Sequence, residues 1–275
     1  MTDRSTAPEL IVVADPDAVA TEAAARIATT LADAVSTRGR ADWATTGGSM
    51  APAIYRRLAA TPLRDTIPWP AVHVWWGDDR YVPRDHPLSN VKPLDDILLA
   101  IGWTEGGQLG LGRSGAPTPV PLPLENLHPF PTTAAIGAAR GAVWCAAQLA
   151  AELDSADLER RGAWPIFDLI LIGVGGDGHL LSVFPGSPAL ESSELAMAIP
   201  APTHIEPHVE RVTLNPALLG AASRVLVAAA GQEKAGILAD IFGAVRDPVR
   251  WPAQLALRGG ATWIVDSGAA GRLSR

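Results

Sequence analysis

The sequence predicts an α/β protein built around a mostly parallel sheet. Short apolar runs of strand length alternate with segments of helical periodicity along the whole chain. Several of these runs end at glycine-rich turns that lead into a helix, the connection typical of parallel sheets covered on both faces. The chain has 275 residues, of which 48% are hydrophobic, so it is long enough to bury a sizeable core.

The segment before residue 103 alternates between predicted strands and helices. Apolar stretches rich in β-branched and aromatic residues define the strands, and alanine-rich or apolar-periodic stretches define the helices. The predicted elements are strands over residues 9–14, 42–46 and 72–76, a helix over 17–36, a helix containing Ile54, Tyr55 and Leu58, and a helix over 90–101 capped by Ser89 and Asn90.

Residues 103–131 are rich in glycine and proline and show little periodicity. We therefore predict a long surface excursion within one domain that spans residues 1–275. The same alternation resumes after this segment, and the sequence contains no internal repeat. The predicted elements are a helix over 133–153, a strand over 167–173, a short helix cut off at Pro185 and Gly186, strands over 211–214, 224–229 and 261–265, and a helix over 232–242.

Charge and cysteine content argue against several classes of function. With 22 basic and 29 acidic residues the net charge is −7, so no nucleic-acid-binding surface is expected. An anionic ligand must then be held by a few local cations. Cys145 is the single cysteine, which excludes an internal disulfide and favours a reducing, cytoplasmic environment. No apolar run is as long as a membrane span.

The glycine cluster after the predicted strand over 167–173 carries two reactive side chains, Asp177 and His179. The carboxyl end of a strand is where open α/β sheets place catalytic groups. The glycines also match G-x-G-x-x-G, but Pro185 follows too closely for the helix that a dinucleotide site requires. An ordinary turn, in which Asp177 caps a helix and His179 packs, is the alternative to a catalytic turn.

A second turn joins a strand to a helix through Gly47, Gly48 and Ser49. Glycines let backbone N–H groups converge at a helix N-terminus, where a phosphate group fits. The turn lacks the lysine of a P-loop, and an ordinary turn capped by Ser49 is the alternative. The sequence therefore indicates a phosphate site here only in combination with cations elsewhere.

Charged residues at further strand ends supply those cations. Asp78, Asp79 and Arg80 follow a strand, and successive residues point in different directions, so one carboxylate can face a cleft while the other anchors the loop. Arg80 could pair with a phosphate or an oxyanion, or form a solvated loop ion pair. Arg211 adjoins another strand. Lys234 lies in a first helical turn, where a cation suggests an anionic ligand or is simply solvated.

With these motifs in this order, the chain resembles the 6-phosphogluconolactonase family, which is related to glucosamine-6-phosphate isomerase/deaminases. The likeness covers nearly the whole length, through TGGS, WGDDRYVP with the later SN, IGVGGDGHLLSVFPG, RVTL and GQEK. The GDGH…FPG block combined with WGDxR…VP…SN is highly specific. The resemblance implies a modified Rossmann-like three-layer α/β/α fold.

The chain also departs from the pattern of that family. Met50, Asp79, Leu180 and Leu181 stand where the family usually has Thr, Glu, Thr and Ala. Loss of the threonine hydroxyls could remove a hydrogen bond to ligand or water. The segment EPHVE before RVTL is divergent as well. We expect these departures to affect rate and fine specificity.

The resemblance implies hydrolysis of 6-phospho-D-glucono-1,5-lactone to 6-phospho-D-gluconate in the oxidative pentose phosphate pathway. His179 would be the general base for water, and Asp177 or Asp78 would orient the imidazole or the water. Arg80 would stabilise the oxyanion or join the phosphate site. No metal or organic cofactor is needed, and we expect a monomer. The phosphate would be held by Gly47, Gly48, Ser49, Arg211 and Lys234.

Two other functions remain open at this stage. A glucosamine-6-phosphate isomerase/deaminase would need a carboxylate base beside the second carbon of the sugar, a role that Asp78 could fill. A non-catalytic sugar-phosphate-binding module, of the kind fused to bacterial regulators, would need a DNA-binding segment. The sequence shows neither a helix-turn-helix pattern nor a basic region.

Overall fold

The computed structural model describes residues 7–103, 109–111 and 118–273. In this part of the chain the strands are β1 Glu9–Val13, β2 Ala41–Thr45, β3 Val72–Trp76, β4 Asp78–Arg80, β5 Ile101–Trp103, β6 Leu109–Leu111, β7 Leu127–His128, β8 Arg160–Arg161, β9 Trp164–Pro165, β10 Leu169–Ile172, β11 Ala196–Ile199, β12 Arg211–Leu214, β13 Arg224–Ala229 and β14 Ala261–Asp266. The α-helices are α1 Pro16–Arg38, α2 Met50–Leu58, α3 Leu63–Thr66, α4 Lys92–Ile97, α5 Thr132–Gly137, α6 Ala142–Ser155, α7 Leu218–Ala221 and α8 Ala235–Ile241.

Seven strands form the main sheet in the order β1-β14-β13-β10-β2-β3-β7, and all of its pairings are parallel. β10 lies at the centre, and its four apolar residues are all buried. Helices flank this sheet; α1, for example, packs on β2, β13 and β14. The prediction of a three-layer α/β fold with a mostly parallel sheet is confirmed.

Helix α1 shows how local sequence sets an element. The Asp15 carboxylate accepts a hydrogen bond from the Ala18 backbone N–H, 2.8 Å away, and Pro16 occupies the first turn, where its missing N–H costs nothing. Gly39 ends the helix in the left-handed conformation, with φ of 77°. The apolar face of α1, which includes Ile27 and Leu31, is fully buried. No helix among the described residues is both long and apolar enough to span a bilayer.

A small antiparallel sheet in the order β11-β12-β4 adjoins the main one. The chain leaves β3 at Gly77 and immediately pairs with β12, so residues 78–80 form a strand where the sequence predicted a polar loop. These residues lack the alternation of polar and apolar side chains that identifies a strand. The pairing with β12 forms the strand instead.

Two predicted helices were wrong in extent, and a third does not form. The helix predicted over 133–153 is two helices, α5 and α6, separated near Ala139, which has a φ of 52°. The helix predicted over 90–101 is the shorter α4, and β5 begins at Ile101. No helix forms in residues 173–187, where a short one was predicted.

The excursion predicted over residues 103–131 is partly incorporated into the fold. Leu127–His128 forms β7, the edge strand of the main sheet, and Val120, Leu122 and Phe130 are buried. A short proline-flanked strand is too brief to leave a periodic signal. The parts of this prediction that fall on residues 104–108 and 112–117 lie outside the described residues.

Candidate active site

Four loops meet at the carboxyl edge of the main sheet. β13, β10, β2 and β3 are consecutive neighbours in a parallel arrangement, so their carboxyl ends lie at the same edge. The loops or strands that follow them carry all the predicted site residues except Arg211, which lies on β12. The residues brought to this edge are Gly47, Gly48, Ser49, Asp78, Arg80, Asp177, His179 and Lys234.

His179 and Asp177 form a hydrogen-bonded pair on the loop after β10. His179 Nδ1 lies 2.6 Å from Asp177 Oδ1, and the His179 backbone N–H donates to the same oxygen across 3.1 Å. The side chains are 21% and 19% exposed, so the pair is held by the protein and still reaches solvent. The imidazole is therefore fixed at one nitrogen and open at its other edge.

Gly175 makes this pair possible. A Cβ at position 175 would lie 2.0 Å from His179 Nδ1 and 2.7 Å from Asp177 Oδ1, so the two side chains could not keep these positions beside it. The Gly175 backbone N–H also donates to the His179 carbonyl, 2.9 Å away, and closes the turn. The glycine cluster thus accommodates the His179–Asp177 pair, and no helix follows it to serve a dinucleotide or to be capped by Asp177.

The pKa of Asp177 lies well below the ordinary value of an aspartic acid. Burial alone would raise this pKa, but the hydrogen bond and charge from His179, with a further hydrogen bond from His204, outweigh burial. An ionised Asp177 only accepts hydrogen bonds, so the neutral His179 ring carries its hydrogen on Nδ1 and its lone pair on Nε2. Nε2 can accept a proton.

His204 is a second imidazole that contacts Asp177, and sequence reasoning missed it. His204 Nε2 lies 2.9 Å from Asp177 Oδ2. Phe184 packs against both rings, with centroid distances of 4.8 Å to His179 and 5.5 Å to His204. Residues 177 and 204 lie on separate loops, so no local spacing marks the contact.

Gly47, Gly48 and Ser49 line a cavity of about 160 Å³ together with Lys234. Helix α2 begins at Met50, and Ser49 makes no side-chain capping hydrogen bond. The alternative of a turn capped by Ser49 is therefore not what the structure contains. Partial positive charge at the helix N-terminus and the Lys234 ammonium suit an anionic group.

The same cavity extends to the loop that carries His179. Gly173, the residue directly after β10, lines the same cavity as the turn formed by Gly47, Gly48 and Ser49. The loop that begins at this residue carries His179. The cavity wall and the imidazole therefore belong to the same loop.

Asp79 is fully buried and anchors the loop before α4. Its carboxylate accepts hydrogen bonds from the backbone N–H groups of Arg80 and Asn90, at 2.8 and 2.7 Å, and from the Ser89 hydroxyl at 3.1 Å. Burial raises the pKa of Asp79 to about 7, although these hydrogen bonds oppose the shift. Ser89 and Asn90 thus donate hydrogen bonds to Asp79. The prediction that they cap a helix was wrong, because α4 begins after Val91.

Asp78 has other partners. Its Oδ2 accepts a hydrogen bond from the Ser182 hydroxyl across 2.7 Å, and its Oδ1 accepts one from Asn90 Nδ2 across 3.2 Å. Asp78 is only 5% exposed. Asp78 therefore ties the end of β3 to the segment that follows His179, while Asp177 is the carboxylate in contact with the imidazole.

Arg80 and Arg211 are directly opposed across the β4–β12 pair, which places their side chains on one face of the small sheet. Burial and the adjacent charge of Arg80 lower the pKa of Arg211. Arg80 Nη1 donates to Asn90 Oδ1 across 2.7 Å, and the buried Arg80 Nε has no hydrogen-bond partner among the described residues. Two adjacent guanidinium groups are a favourable place for negative charge to develop.

Arg211 does not line the cavity that contains Lys234. Its guanidinium carbon lies 6.0 Å from the ring centre of Phe184, the same ring that packs on His179. Its Nε and Nη2 donate to the Val209 and Pro207 carbonyls at 3.2 and 3.0 Å. Arg211 thus packs on the ring that also packs on His179, and it is not part of the lining that Gly47, Gly48, Ser49 and Lys234 share.

The fold and this edge define an α/β enzyme whose site lies at the carboxyl ends of parallel strands. A family model described as glucosamine-6-phosphate isomerases/6-phosphogluconolactonase matches residues 14–264. The chain therefore belongs to this family.

Individual relatives agree over nearly the full length. The 6-phosphogluconolactonase of Streptomyces coelicolor is 32% identical, with 98% of this chain and 97% of that protein aligned. The 6-phosphogluconolactonase of Mycobacterium tuberculosis is 31% identical, with 94% and 96% aligned. The chain thus has the length and order of motifs of these relatives.

Solved structures show the same architecture. The 6-phosphogluconolactonase from Trypanosoma cruzi superposes with a TM-score of 0.80 at 25% identity, covering 98% of each chain. A monomeric glucosamine-6-phosphate deaminase gives a TM-score of 0.71 at 15% identity, covering 96% of this chain and 99% of that one. At 15% identity the likeness concerns the fold alone.

Proposed function

We propose that this protein hydrolyses 6-phospho-D-glucono-1,5-lactone to 6-phospho-D-gluconate, a step of the oxidative pentose phosphate pathway. One observation carries the proposal: a single loop runs from the wall of the Lys234 cavity at Gly173 to the oriented imidazole of His179. A phosphorylated lactone has an anionic group at one end and an electrophilic carbonyl at the other. The names of the relatives described above give the same activity for those proteins.

His179 acts as the general base through Nε2. It takes a proton from water as the water oxygen attacks the lactone carbonyl carbon and the carbonyl oxygen becomes an oxyanion. When the bond from that carbon to the ring oxygen breaks, the imidazolium gives its proton to the departing ring oxygen. The new carboxylic acid then loses its proton to solvent. A lactone is an activated ester, so a positioned water suffices without a covalent nucleophile.

Asp177 and Asp78 have different roles in this scheme. Asp177 holds the Nδ1 hydrogen of His179 and, being ionised, stabilises the imidazolium that forms during the reaction. Asp78 is a positioning residue, because its contacts with Ser182 and Asn90 hold the segment after His179 against the end of β3. Asp177, rather than Asp78, is thus the carboxylate we assign to the base.

The cations divide between the two ends of the substrate. Lys234 and the turn formed by Gly47, Gly48 and Ser49 hold the phosphate in the cavity. Arg80 stabilises the oxyanion, and we assign Arg211 to the same end because it pairs with Arg80 and packs on Phe184. Its predicted role as a phosphate ligand stays a prediction.

The competing functions fit the site less well. The aldose–ketose isomerase/deaminase reaction would need Asp78 as an accessible carboxylate base, and Asp78 is buried and hydrogen-bonded. A module that only binds sugar phosphates has no use for an imidazole oriented by an ionised carboxylate. Both observations favour lactone hydrolysis.

The function is tested by following acid release from freshly prepared lactone in a pH-stat, with the spontaneous rate subtracted. A parallel incubation with glucosamine 6-phosphate is assayed for ammonia. We expect lactone hydrolysis and no ammonia. Ammonia release would favour the isomerase/deaminase, and binding of 6-phosphogluconate without hydrolysis would favour a sugar-phosphate-binding module.

We also infer a cytoplasmic monomer. The single cysteine, Cys145, is buried and free, which suits a reducing compartment. Light scattering of the purified protein tests the monomer directly.

A further inference from the structure

We propose that His204 is a positioning residue for the catalytic base and acts through Asp177. The inference rests on the lactone hydrolysis proposed above and deepens it. His204 belongs to the loop between β11 and β12, outside the motifs that carry the family resemblance.

The two oxygens of the Asp177 carboxylate bind two different imidazole rings. Oδ1 binds Nδ1 of His179 at 2.6 Å, and Oδ2 binds Nε2 of His204 at 2.9 Å. Phe184 packs on both rings and limits their movement. Rotation of Asp177 away from His179 would break the bond to His204, so His204 stabilises the orientation in which His179 Nε2 is the free nitrogen.

His204 is partly exposed and has several charged or titratable neighbours. The side chain is 50% exposed. On its own loop, His208 and Glu206 pair with each other at 3.0 Å. From the packed elements, Asp177 faces His204 directly, His179 faces it through Asp177, and Arg211 lies across Phe184.

These contacts predict a competition at acidic pH. When His204 takes up a proton it becomes a cation bound to Asp177, and the carboxylate is then less available to stabilise a proton on His179.

Two substitutions separate the hydrogen bond from the charge. His204→Ala removes both, whereas His204→Gln keeps an N–H donor that cannot become charged. We expect His204→Ala to lower kcat about fivefold, the equivalent of one ordinary hydrogen bond, and to leave KM within about twofold. We expect His204→Gln to restore most of kcat. In both variants the acidic limb of the pH dependence of kcat/KM should move to higher pH.

Thr203→Ala is the matched control, since Thr203 is the exposed neighbour of His204 on the same loop. This variant should match the wild type in kcat, KM and pH profile. If any substitution in this loop disturbed the site, kcat would fall in Thr203→Ala and His204→Gln as well as in His204→Ala.

The closing experiment is a pH titration of the ¹⁵N-histidine-labelled protein by NMR, alongside the kinetics. The protein has six histidines, so the His179 ring signals can be assigned from a variant. We expect the wild type to carry its His179 hydrogen on Nδ1, and the midpoint of the His179 titration to rise in His204→Ala. Because no substrate is present, this shift would support the inference even if the wild type failed to hydrolyse the lactone.

Three results would overturn the inference. One is a His204→Ala variant whose kcat, acidic limb and NMR midpoint all equal those of the wild type. Another is a rise in KM alone, which would make His204 a substrate contact. The third is a fall in kcat that His204→Gln does not restore, with the acidic limb unmoved.

Discussion

Gly47 lies against Asn90 so closely that a Cβ on Gly47 would come within 1.9 Å of Asn90 Oδ1. Gly47 belongs to the turn that lines the Lys234 cavity, and Asn90 hydrogen-bonds to Asp78 and Arg80. The contact therefore joins the end of the site assigned to the phosphate with the end assigned to the reacting carbonyl.

Gly47→Ala should displace the Asn90 side chain and disturb its bonds to Asp78 and Arg80. We expect a loss of about 1–3 kcal/mol in the free energy of unfolding, measured by urea denaturation, together with a lower kcat/KM. Asn90→Ala removes the clashing oxygen, so the double variant should be destabilised by less than the sum of the two single changes. Strict additivity would show that the close approach has no energetic consequence.

Lys234→Ala should mainly weaken substrate binding. In the proposed assignment the ammonium binds the phosphate, a part of the substrate that does not react, so we expect KM to rise about 10- to 100-fold while kcat changes little. Lys92→Ala is the matched control, because Lys92 pairs with Asp96 on α4 and does not line the cavity. A fall in kcat at unchanged KM would remove Lys234 from the phosphate site.

Asp177→Asn should reduce kcat by at least about 100-fold. The amide nitrogen would donate to His179 Nδ1, which would shift the hydrogen of the imidazole to Nε2 and block the base. KM for the lactone should stay close to the wild-type value. A variant with near-normal turnover would show that the ring needs no ionised partner.

Asp79→Asn should remove a pH dependence of stability. The pKa of Asp79 is about 7 in the folded protein, against an ordinary value of 3.8, so between these values the folded state holds a proton that the unfolded chain releases. The contribution of Asp79 to the free energy of unfolding is therefore present at about pH 4 and lost as pH rises through 7.

The asparagine mimics the neutral acid, so its stability relative to the wild type should improve from pH 4 to pH 8 by an amount on the order of 4 kcal/mol. Urea denaturation at several pH values measures this difference. Asp85→Asn, which changes an exposed carboxylate in the neighbouring loop, is the control and should show no such trend. If the difference in free energy of unfolding between Asp79→Asn and the wild type were the same at every pH, the raised pKa of the buried Asp79 carboxyl would be contradicted.

Much of this fold could be predicted because apolar periodicity reports burial. β10 and β13 were predicted within a few residues, since a central parallel strand is a continuous apolar run. β4 and β7 were missed, because polar or very short segments become strands only through their partners. The break between α5 and α6 was missed because alanine-rich sequence continues on both sides of it. The single-domain assignment over 1–275 stays a prediction.

The site was predictable where function is concentrated in one motif and unpredictable where it depends on packing. Asp177 and His179 lie two positions apart, so their contact could be anticipated, although the choice between Asp177 and Asp78 could not. His204 reaches Asp177 from a separate loop, and Arg211 is placed beside Arg80 by strand pairing. Contacts of this kind depend on tertiary structure and leave no spacing in the sequence.

The role of His179 as the general base is tested most directly by His179→Ala, assayed for lactone hydrolysis and for binding of 6-phosphogluconate by calorimetry. We expect kcat, after subtraction of the spontaneous rate, to fall by at least about 100-fold, while the dissociation constant stays within about threefold of the wild type. Unchanged turnover in this variant would show that a different group activates the water.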